Sequence, residues 1–267
     1  MNVVHLLESR KKYLIIGILI LAVFMVGSIK YGIPAASKVI AYWLPPFALR
    51  EASDQTIQIL DRSVLKVSEL QKGRQEQLIR YFEPVIAAHG SYGIKIFFRK
   101  GGPIGPNAFA VPDGRIVFTD EMVGIAEHDD ELVAVLVHEI GHVVHRHSMR
   151  SLIQGSLLGF TLLAITGDVT GSSELFLGLP VLLTELSYSR EFEREADNYV
   201  LEWLVSHSFH PEHFSNLMLR IEQKKHSMPN QAAKKWLSYL SSHPMTDDRV
   251  KRFKREGGYV KNKTDNP

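Results

Sequence analysis

The sequence contains no cysteine among its 267 residues. This absence excludes disulfide bonds and thiolate ligands, so a metal site in this chain has to be built from histidine, aspartate and glutamate. A strong excess of one charge is also lacking, because 31 Lys and Arg residues are balanced by 29 Asp and Glu residues. A net charge of +2, spread along the chain, gives no indication of a nucleic-acid partner.

Long apolar runs are scarce, and one of them has the length of a bilayer. Residues 13–31 carry no charge before Lys30, and as a helix they would extend about 28 Å, which matches the apolar core of a membrane. Tyr13 and Tyr31 fall where aromatic residues are enriched at membrane surfaces. We therefore predict a transmembrane anchor over residues 13–33.

Basic residues flank this run and predict its orientation. Arg and Lys occupy positions 10–12, whereas Lys30 and Lys38 follow the run, so residues 1–12 are placed in the cytoplasm and the large domain outside it. A cleaved signal peptide is the alternative, but its apolar region would be shorter, and residues 34–36 form a poor cleavage site. Beyond the anchor we predict a linker at 34–50, a main domain at 51–256 and a C-terminal tail at 257–267.

A second apolar stretch is too short to be a span. Leu152–Ile165 has 14 residues and includes Gln154 and Thr161, whereas a membrane helix needs about 20 apolar residues. We interpret residues 152–186 as a helical hairpin that covers a site or touches the membrane surface. Ordinary core packing is the open alternative.

Hydrophobic periodicity predicts the fold class. Most of the remaining chain has the apolar spacing of helices. Alternating apolar residues at 94–99 predict a strand, and residues 107–110 and 115–119 predict a hairpin around a turn at 112–114. The sequence therefore predicts a mainly α-helical domain with a small antiparallel β-sheet, preceded by one transmembrane helix.

The most informative motif is His138-Glu139-Ile140-Gly141-His142, inside an apolar helix predicted from about Asp129 to Met149. Residues four apart lie on one helix face, so His138 and His142 can direct two imidazole nitrogens at one point. Glu139 lies about 100° further round the helix. It would be close to a water bound to a metal ion that the two histidines hold. Two neutral imidazoles and an unliganded carboxylate describe a catalytic zinc centre with an open position.

Such a centre needs a third protein ligand, and a second predicted helix at 185–206 offers acidic candidates. Glu193 and Asp197 lie four residues apart, which suits Glu193 as a zinc ligand and Asp197 as the acceptor that orients a ligand imidazole. His145 is the rival third ligand, although one straight helix seldom places three ligands around one ion. A solvated acidic helix face is the alternative interpretation of the four carboxylates, Glu191, Glu193, Glu195 and Asp197.

Two motifs about fifty residues apart occur together, namely His138-Glu139-Ile140-Gly141-His142 with Arg146-His147, and Ser189-Arg190-Glu191-Phe192-Glu193-Arg194-Glu195-Ala196-Asp197. Shorter segments accompany them at Asn107–Ala110 with Gly114, at Asp130-Glu131, and at His243-Pro244 with Arg249. Together, over roughly residues 90–253, this pattern resembles the membrane-anchored gluzincin zinc metallopeptidases of family forty-eight, typified by HtpX, the mitochondrial Oma protease and BepA.

The resemblance implies a zincin-like α+β fold and assigns residue roles. It makes Glu193 the third zinc ligand beside His138 and His142, and it makes Asp197 the support of a ligand histidine. It also places an edge strand beside the cleft, where an extended substrate can pair with the main chain. The residues of that strand are Asn107, Ala108 and Phe109.

The expected reaction is peptide hydrolysis with one Zn²⁺ per chain. Glu139 is expected to activate the zinc-bound water as a general base and to pass the proton to the leaving amine. His243, Arg249 and Tyr188 are candidate donors for the oxyanion. Because His243 precedes a proline, it belongs to an extended loop, and it could instead be a fourth ligand that inhibits the enzyme, which is the role we favour.

The expected function is therefore that of a zinc metalloendopeptidase with polypeptide substrates. From the resemblance we expect proteolytic quality control of envelope proteins, by a single-pass protein of the inner membrane whose catalytic domain is periplasmic. A zinc-bound chaperone-like module that cuts rarely and a zinc amidase are the alternatives. The sequence favours neither, because a scaffold does not need Glu139 and because an edge strand suits a peptide.

Overall fold

A computed structural model of the chain describes residues 3–166, 188–227, 239–244 and 246–264. Its α-helices are α1 (Val3–Gly27), α2 (Ile33–Trp43), α3 (Pro46–Ser63), α4 (Lys72–Ala88), α5 (Asp120–Ile125), α6 (Asp129–Val144), α7 (His147–Thr166), α8 (Arg190–Ser206), α9 (Glu212–His226), α10 (Tyr239–Ser242) and α11 (Asp247–Thr264). Its strands are β1 (Lys66–Val67), β2 (Lys95–Lys100), β3 (Ala108–Ala110) and β4 (Arg115–Thr119). The predicted fold class, mainly helical with one small sheet, is confirmed.

The sheet differs from the prediction in one pairing. Its strand order is β1-β2-β4-β3, and the β3–β4 hairpin is antiparallel as predicted, but β2 and β4 are parallel. The sheet is therefore mixed and not antiparallel throughout. The reason is topological: β3 lies at the edge and β4 returns between β3 and β2, so β4 runs in the direction of β2. Periodicity does not report which strand lies beside which.

Helix α6 is the centre of the domain. It contacts α4, α7, α8, α9 and strand β3, and every residue from Glu131 to Val143 is buried. Gly141 brings α8 close, because a Cβ atom at this position would lie 3.2 Å from the Cα atom of Ala196. Because neighbouring elements surround the helix, most of its residues are apolar on every side. Its few polar residues have to find partners inside the protein.

Helix α6 ends earlier than predicted. It stops at Val144, and a separate helix, α7, begins at His147. The break lies at Arg146, which has a positive φ of 53°, a conformation that is unfavourable for a residue with a side chain. Its guanidinium donates to the carbonyl of Ala41 over 2.6 Å and lies 5.3 Å from the ring centre of Tyr42. Contacts with α2 therefore stabilise the break.

The apolar N-terminal segment is helical in the structure. A helical stretch over Lys11–Trp43 contains an 18-residue window with a mean hydropathy of 2.3, and it is long and apolar enough to cross a membrane. Helix α2 occupies much of the predicted linker at 34–50 and packs on α7, where the amide of Gln154 donates to Ser37 Oγ over 2.9 Å. In the predicted hairpin at 152–186, residues 152–166 belong to α7. Residues 167–186 lie outside the described residues.

Candidate metal centre

Helix α6 brings the first two candidate ligands together. His138 and His142 project from the same face, as their spacing predicts, and their Nε2 atoms lie 3.1 Å apart. Both side chains are fully buried. Burial lowers the pKa of His142 well below its ordinary value, so the imidazole is neutral and its nitrogen lone pair is available to a metal.

Helix α8 supplies a carboxylate from the opposite side. The Ser189 hydroxyl accepts from the backbone N–H of Phe192 and begins the helix, so that Glu193 lies one turn inside it. The Glu193 Oε2 atom is 3.6 Å from His138 Nε2, and its Oε1 atom is 3.5 Å from His142 Nε2. The structure thus brings together the three side chains that were predicted as metal ligands.

A third imidazole completes the group. His243 follows α10, and its Nδ1 atom lies 2.8 Å from Glu193 Oε1 and 3.3 Å from His138 Nε2. One potential ligand atom from each of His138, His142, Glu193 and His243 lies within 4.8 Å of the other three. Three nitrogens and one carboxylate oxygen in a buried cluster form a donor set that fits a tetrahedral zinc ion.

Glu139 lies beside this cluster but is not part of it. Its Oε2 atom accepts from the backbone N–H of Ala110 over 3.1 Å, while its buried Oε1 atom has no hydrogen-bond partner in the described part of the chain. The nearest basic group to Oε1 is His243 Nε2, at 3.6 Å. Burial raises the pKa of Glu139, which suits a group that takes up and releases a proton.

A carboxylate and a guanidinium lie behind the imidazole of His138. Its Nδ1 atom lies 3.5 Å from Asp197 Oδ1. Arg249 donates to both oxygens of Asp197 over 2.7 Å, and its Nη1 atom lies 3.0 Å from Glu193 Oε2. The structure therefore places Asp197 next to His138, where the predicted supporting residue would lie, and it places Arg249 against the carboxylates of Asp197 and Glu193.

The imidazole of His142 rests on a group that the sequence did not indicate. Its Nδ1 atom lies 2.9 Å from Nδ1 of His147, and Nε2 of His147 lies 2.8 Å from Glu195 Oε2. Arg150 donates to the same oxygen over 2.5 Å. Arg146-His147 did appear in the motif that carried the resemblance, but spacing alone assigned His147 no partner because the break before α7 was not predictable.

The remaining candidates lie around the cluster. Among the described residues His145 is not part of the ligand group; its ring instead stacks on His147, 5.4 Å between centres. The ring of Tyr188 stacks on His142 at 4.1 Å, and its hydroxyl hydrogen-bonds to Ser148 Oγ over 2.9 Å. Tyr239, which the sequence did not indicate, is fully buried and stacks on His243 at 4.2 Å.

The predicted substrate strand lies next to Glu139. Strand β3 is the last strand in the order of the described sheet. Main-chain atoms of Asn107 and Val111 bond to β4, so the alternate residues Ala108 and Ala110 direct their N–H and C=O groups to the other side. The bond from Ala110 to Glu139 shows that this other side faces the cluster.

Comparison with known proteins agrees with this geometry. The model of peptidase family M48 matches residues 73–256, which include all of the clustered side chains. The mitochondrial metalloendopeptidase OMA1 of Saccharomyces cerevisiae is 29% identical over 156 residues, which cover 56% of this chain and 43% of the relative. OMA1 of Schizosaccharomyces pombe is 29% identical over 177 residues, which cover 65% and 50%.

A bacterial relative is similar to this chain over a region of comparable length. The protein named putative beta-barrel assembly-enhancing protease of Vibrio cholerae is 27% identical over 154 residues, which cover 54% of this chain and 31% of the relative. In each of these comparisons the matched region spans half or less of the relative. The family model nevertheless covers more than half of this sequence, and the chain belongs to peptidase family M48.

Proposed function

We propose that the protein is a zinc metalloendopeptidase. The observation that carries the proposal is the convergence of His138, His142 and Glu193 on one point, with Glu139 beside them and outside the ligand set. Membership of a metallopeptidase family supports it. A bound zinc ion would supply Lewis acidity to the attacked carbonyl and to the attacking water.

The residues of the chain perform the proton transfers. Glu139 takes a proton from the attacking water and then delivers it to the amine that leaves. The hydrogen bond from Ala110 holds one of its oxygens, so the other oxygen remains available for the proton. Burial raises the pKa of Glu139 above its ordinary value, which is the direction that favours proton uptake by a general base.

We propose an extended peptide as the substrate. Ala108 has main-chain groups on the cluster side of the edge strand, and a substrate chain that pairs there as a further strand would cross the site next to Glu139. Asn107 and Phe109 flank this position, and Asn107 is buried. Pairing of this kind would suit the main chain of a peptide better than the small-molecule substrate of an amidase.

We propose that His243 restrains the enzyme and lowers its basal turnover. Its imidazole lies within the ligand group, and His138, Glu139, His142, Glu193 and His243 are all at most 4% exposed. A fourth protein ligand would occupy the position that water and substrate need. Movement of the loop after α10 would open that position, and His243 or Tyr188 could then donate to the oxyanion. Arg249 would act through Asp197 and Glu193.

We propose a membrane anchor at residues 13–33, with the N-terminus cytoplasmic and the catalytic domain periplasmic. The apolar helix and the basic residues before it support this topology. The names of the relatives, a mitochondrial metalloendopeptidase and a beta-barrel assembly-enhancing protease, support a role in quality control of envelope proteins. A reporter fused after Pro267 should give an extracytoplasmic signal, and a cytoplasmic signal would reverse the topology.

The reaction is tested with Glu139→Gln in the purified full chain. Cleavage of an unfolded protein substrate should fall by about 10²–10⁴-fold, the usual contribution of a general base, while zinc stays near one ion per chain. His145→Ala is the matched control, because His145 lies outside the ligand group, and it should cleave normally. Unchanged turnover in Glu139→Gln would refute the mechanism, and a wild-type protein that binds no zinc would refute the metal centre.

A further inference from the structure

The polar chain behind His142 is built from two elements that meet at the break after α6. Because Arg146 adopts a positive φ, helix α7 starts in a new direction, and its first residue, His147, turns back onto α6. Helix α8 supplies Glu195, two residues after Glu193. His147 is 0% exposed and Arg150 is 3% exposed, so these contacts are buried except at Glu195, whose side chain is 23% exposed.

The hydrogen positions along these contacts follow from the two groups at their ends, the ligand cluster next to His142 and the carboxylate of Glu195. His142 directs Nε2 to the ligand cluster, so an imidazole that binds metal there carries its hydrogen on Nδ1. That hydrogen points at Nδ1 of His147, 2.9 Å away. His147 must accept it, and a neutral His147 then carries its own hydrogen on Nε2, which donates to Glu195 over 2.8 Å.

The opposite arrangement fails at both ends. If His147 donated from Nδ1, His142 would carry its hydrogen on Nε2 and could not bind metal through that atom. The lone pair of His147 Nε2 would then face the carboxylate of Glu195, which accepts and does not donate when ionised. Arg150 keeps that carboxylate ionised through a charge-assisted hydrogen bond. One direction of donation is therefore built into the structure.

We propose that His147 is a positioning residue for the metal centre, and that with Glu195 and Arg150 it fixes His142 in the tautomer and ring orientation that bind zinc. The inference rests on the proposed zinc site and adds a second support to it. Behind His138 the nearest carboxylate is that of Asp197, 3.5 Å from Nδ1, whereas between His142 and its carboxylate stands an imidazole, that of His147. Loss of such outer contacts typically costs about 10–100-fold in metal affinity.

Zinc affinity of the full-length protein, measured by chelator competition without any substrate, tests the proposal. His147→Leu introduces an apolar side chain of similar bulk and removes the acceptor, and we expect zinc affinity to fall about 10–100-fold. His147→Asn can place an amide oxygen near the position of Nδ1, so it should restore part of the loss. The absorption spectrum of the cobalt-substituted protein should shift in His147→Leu, because the ligand geometry changes.

His89→Leu is the matched control. His89 is also a buried histidine with two hydrogen bonds, to Val85 O at 2.6 Å and to Tyr199 at 2.8 Å, but it is not part of the ligand group. It should lose stability while keeping wild-type zinc affinity and cobalt spectrum. If His147→Leu does not fold, Glu195→Gln takes its place, since the Glu195 side chain is 23% exposed, and it should lower zinc affinity several-fold.

The outcomes separate this proposal from the proposed function. Zinc affinity and cobalt spectra that equal wild type in both His147→Leu and Glu195→Gln would overturn the positioning role and leave the metalloendopeptidase proposal intact. Equal losses in His147→Leu and His89→Leu would also overturn it, because general destabilisation would then explain both. A wild-type protein without zinc affinity would overturn both proposals together.

Discussion

Helix α6 holds a buried glutamate towards each of its two ends, and the two carboxylates differ in how completely they are hydrogen-bonded. Glu131, near the start, is 1% exposed, and its carboxylate accepts from Arg220 over 2.7 and 3.0 Å and from the backbone N–H of Glu127 over 2.8 Å. Glu139 is 0% exposed and accepts from Ala110 through one oxygen. Its other oxygen is left without a partner among the described residues.

The difference separates a stabilising charge from a reactive one. A buried carboxylate is costly unless charges and hydrogen bonds compensate it. The protein supplies that compensation completely around Glu131, so removal of a partner should affect folding. Around Glu139 the compensation is incomplete, and Glu193 beside it belongs to the ligand cluster, so changes there should affect metal and chemistry.

The largest expected effect is on metal binding at the incomplete end. Glu193→Ala should lose zinc during dialysis, because a direct ligand matters more than an outer contact, and Asp197→Ala should weaken zinc binding by about 10–100-fold. His145→Ala should remain near one zinc per chain. Metal analysis after dialysis measures all three. Zinc lost from the His145 variant and kept by the Glu193 variant would reverse the assignment of the third ligand.

A second effect at this end concerns turnover. If His243 holds the open ligand position, His243→Ala should raise cleavage of an unfolded substrate, because water then reaches the metal. If it is an oxyanion donor, turnover should instead fall by about 10²–10³-fold. Steady-state kinetics on the purified variant distinguishes the two, and unchanged kinetics would show that His243 has neither role.

At the complete end the expected effect is on stability. Arg220→Met removes two donors from buried Glu131 and should lower the free energy of unfolding by about 1.5–3 kcal/mol, the usual range for hydrogen bonds to charged groups. Zinc content should not change. Arg80→Met is the control, since the side chains of the Arg80–Glu76 pair are 72% and 67% exposed and such pairs contribute little. Denaturant unfolding in detergent measures both, and equal losses would contradict the comparison.

The smallest expected effect is on the pH dependence of the stability that Glu131 contributes. Burial by itself would raise the pKa of Glu131, but the hydrogen bonds from Arg220 and the Glu127 backbone outweigh it and lower the pKa below its ordinary value of 4.5. A lowered folded-state pKa adds stability above that value, and this stability is lost as the pH falls through the folded-state pKa. The stability advantage of wild type over Glu131→Gln should therefore shrink on acidification below pH 4.5, and an advantage that grows would be the wrong sign.

The sequence predicted what depends on spacing within one element. The common face of His138 and His142 and the four-residue spacing of Glu193 and Asp197 follow from helix geometry, and the structure shows both. The hairpin at 107–119 was predicted from its turn residues. These features need no knowledge of how distant segments pack.

The sequence did not predict what depends on packing between elements. The break at Arg146 is held by the carbonyl of Ala41, more than one hundred positions away in the chain, so helix propensity over residues 129–149 could not reveal it. The position of His147 depends on that break. The parallel pairing of β2 and β4 has the same origin, because strand order is decided by the tertiary structure.

The contacts between α2 and the break after α6 determine how far the metal centre lies from the membrane-anchor segment. Arg146 bonds to Ala41, and the Tyr42 hydroxyl donates to Val144 O over 3.2 Å, so the end of the metal-binding helix is attached at a set position along α2. In the proposed membrane-anchored protein, Ala41 lies eight residues beyond Ile33, the end of the predicted anchor, which is about 12 Å along a helix. A substrate that leaves the bilayer as an extended chain needs about four residues to cover that distance. In such a substrate, the cleaved bond should therefore lie at least about that far from the last embedded residue.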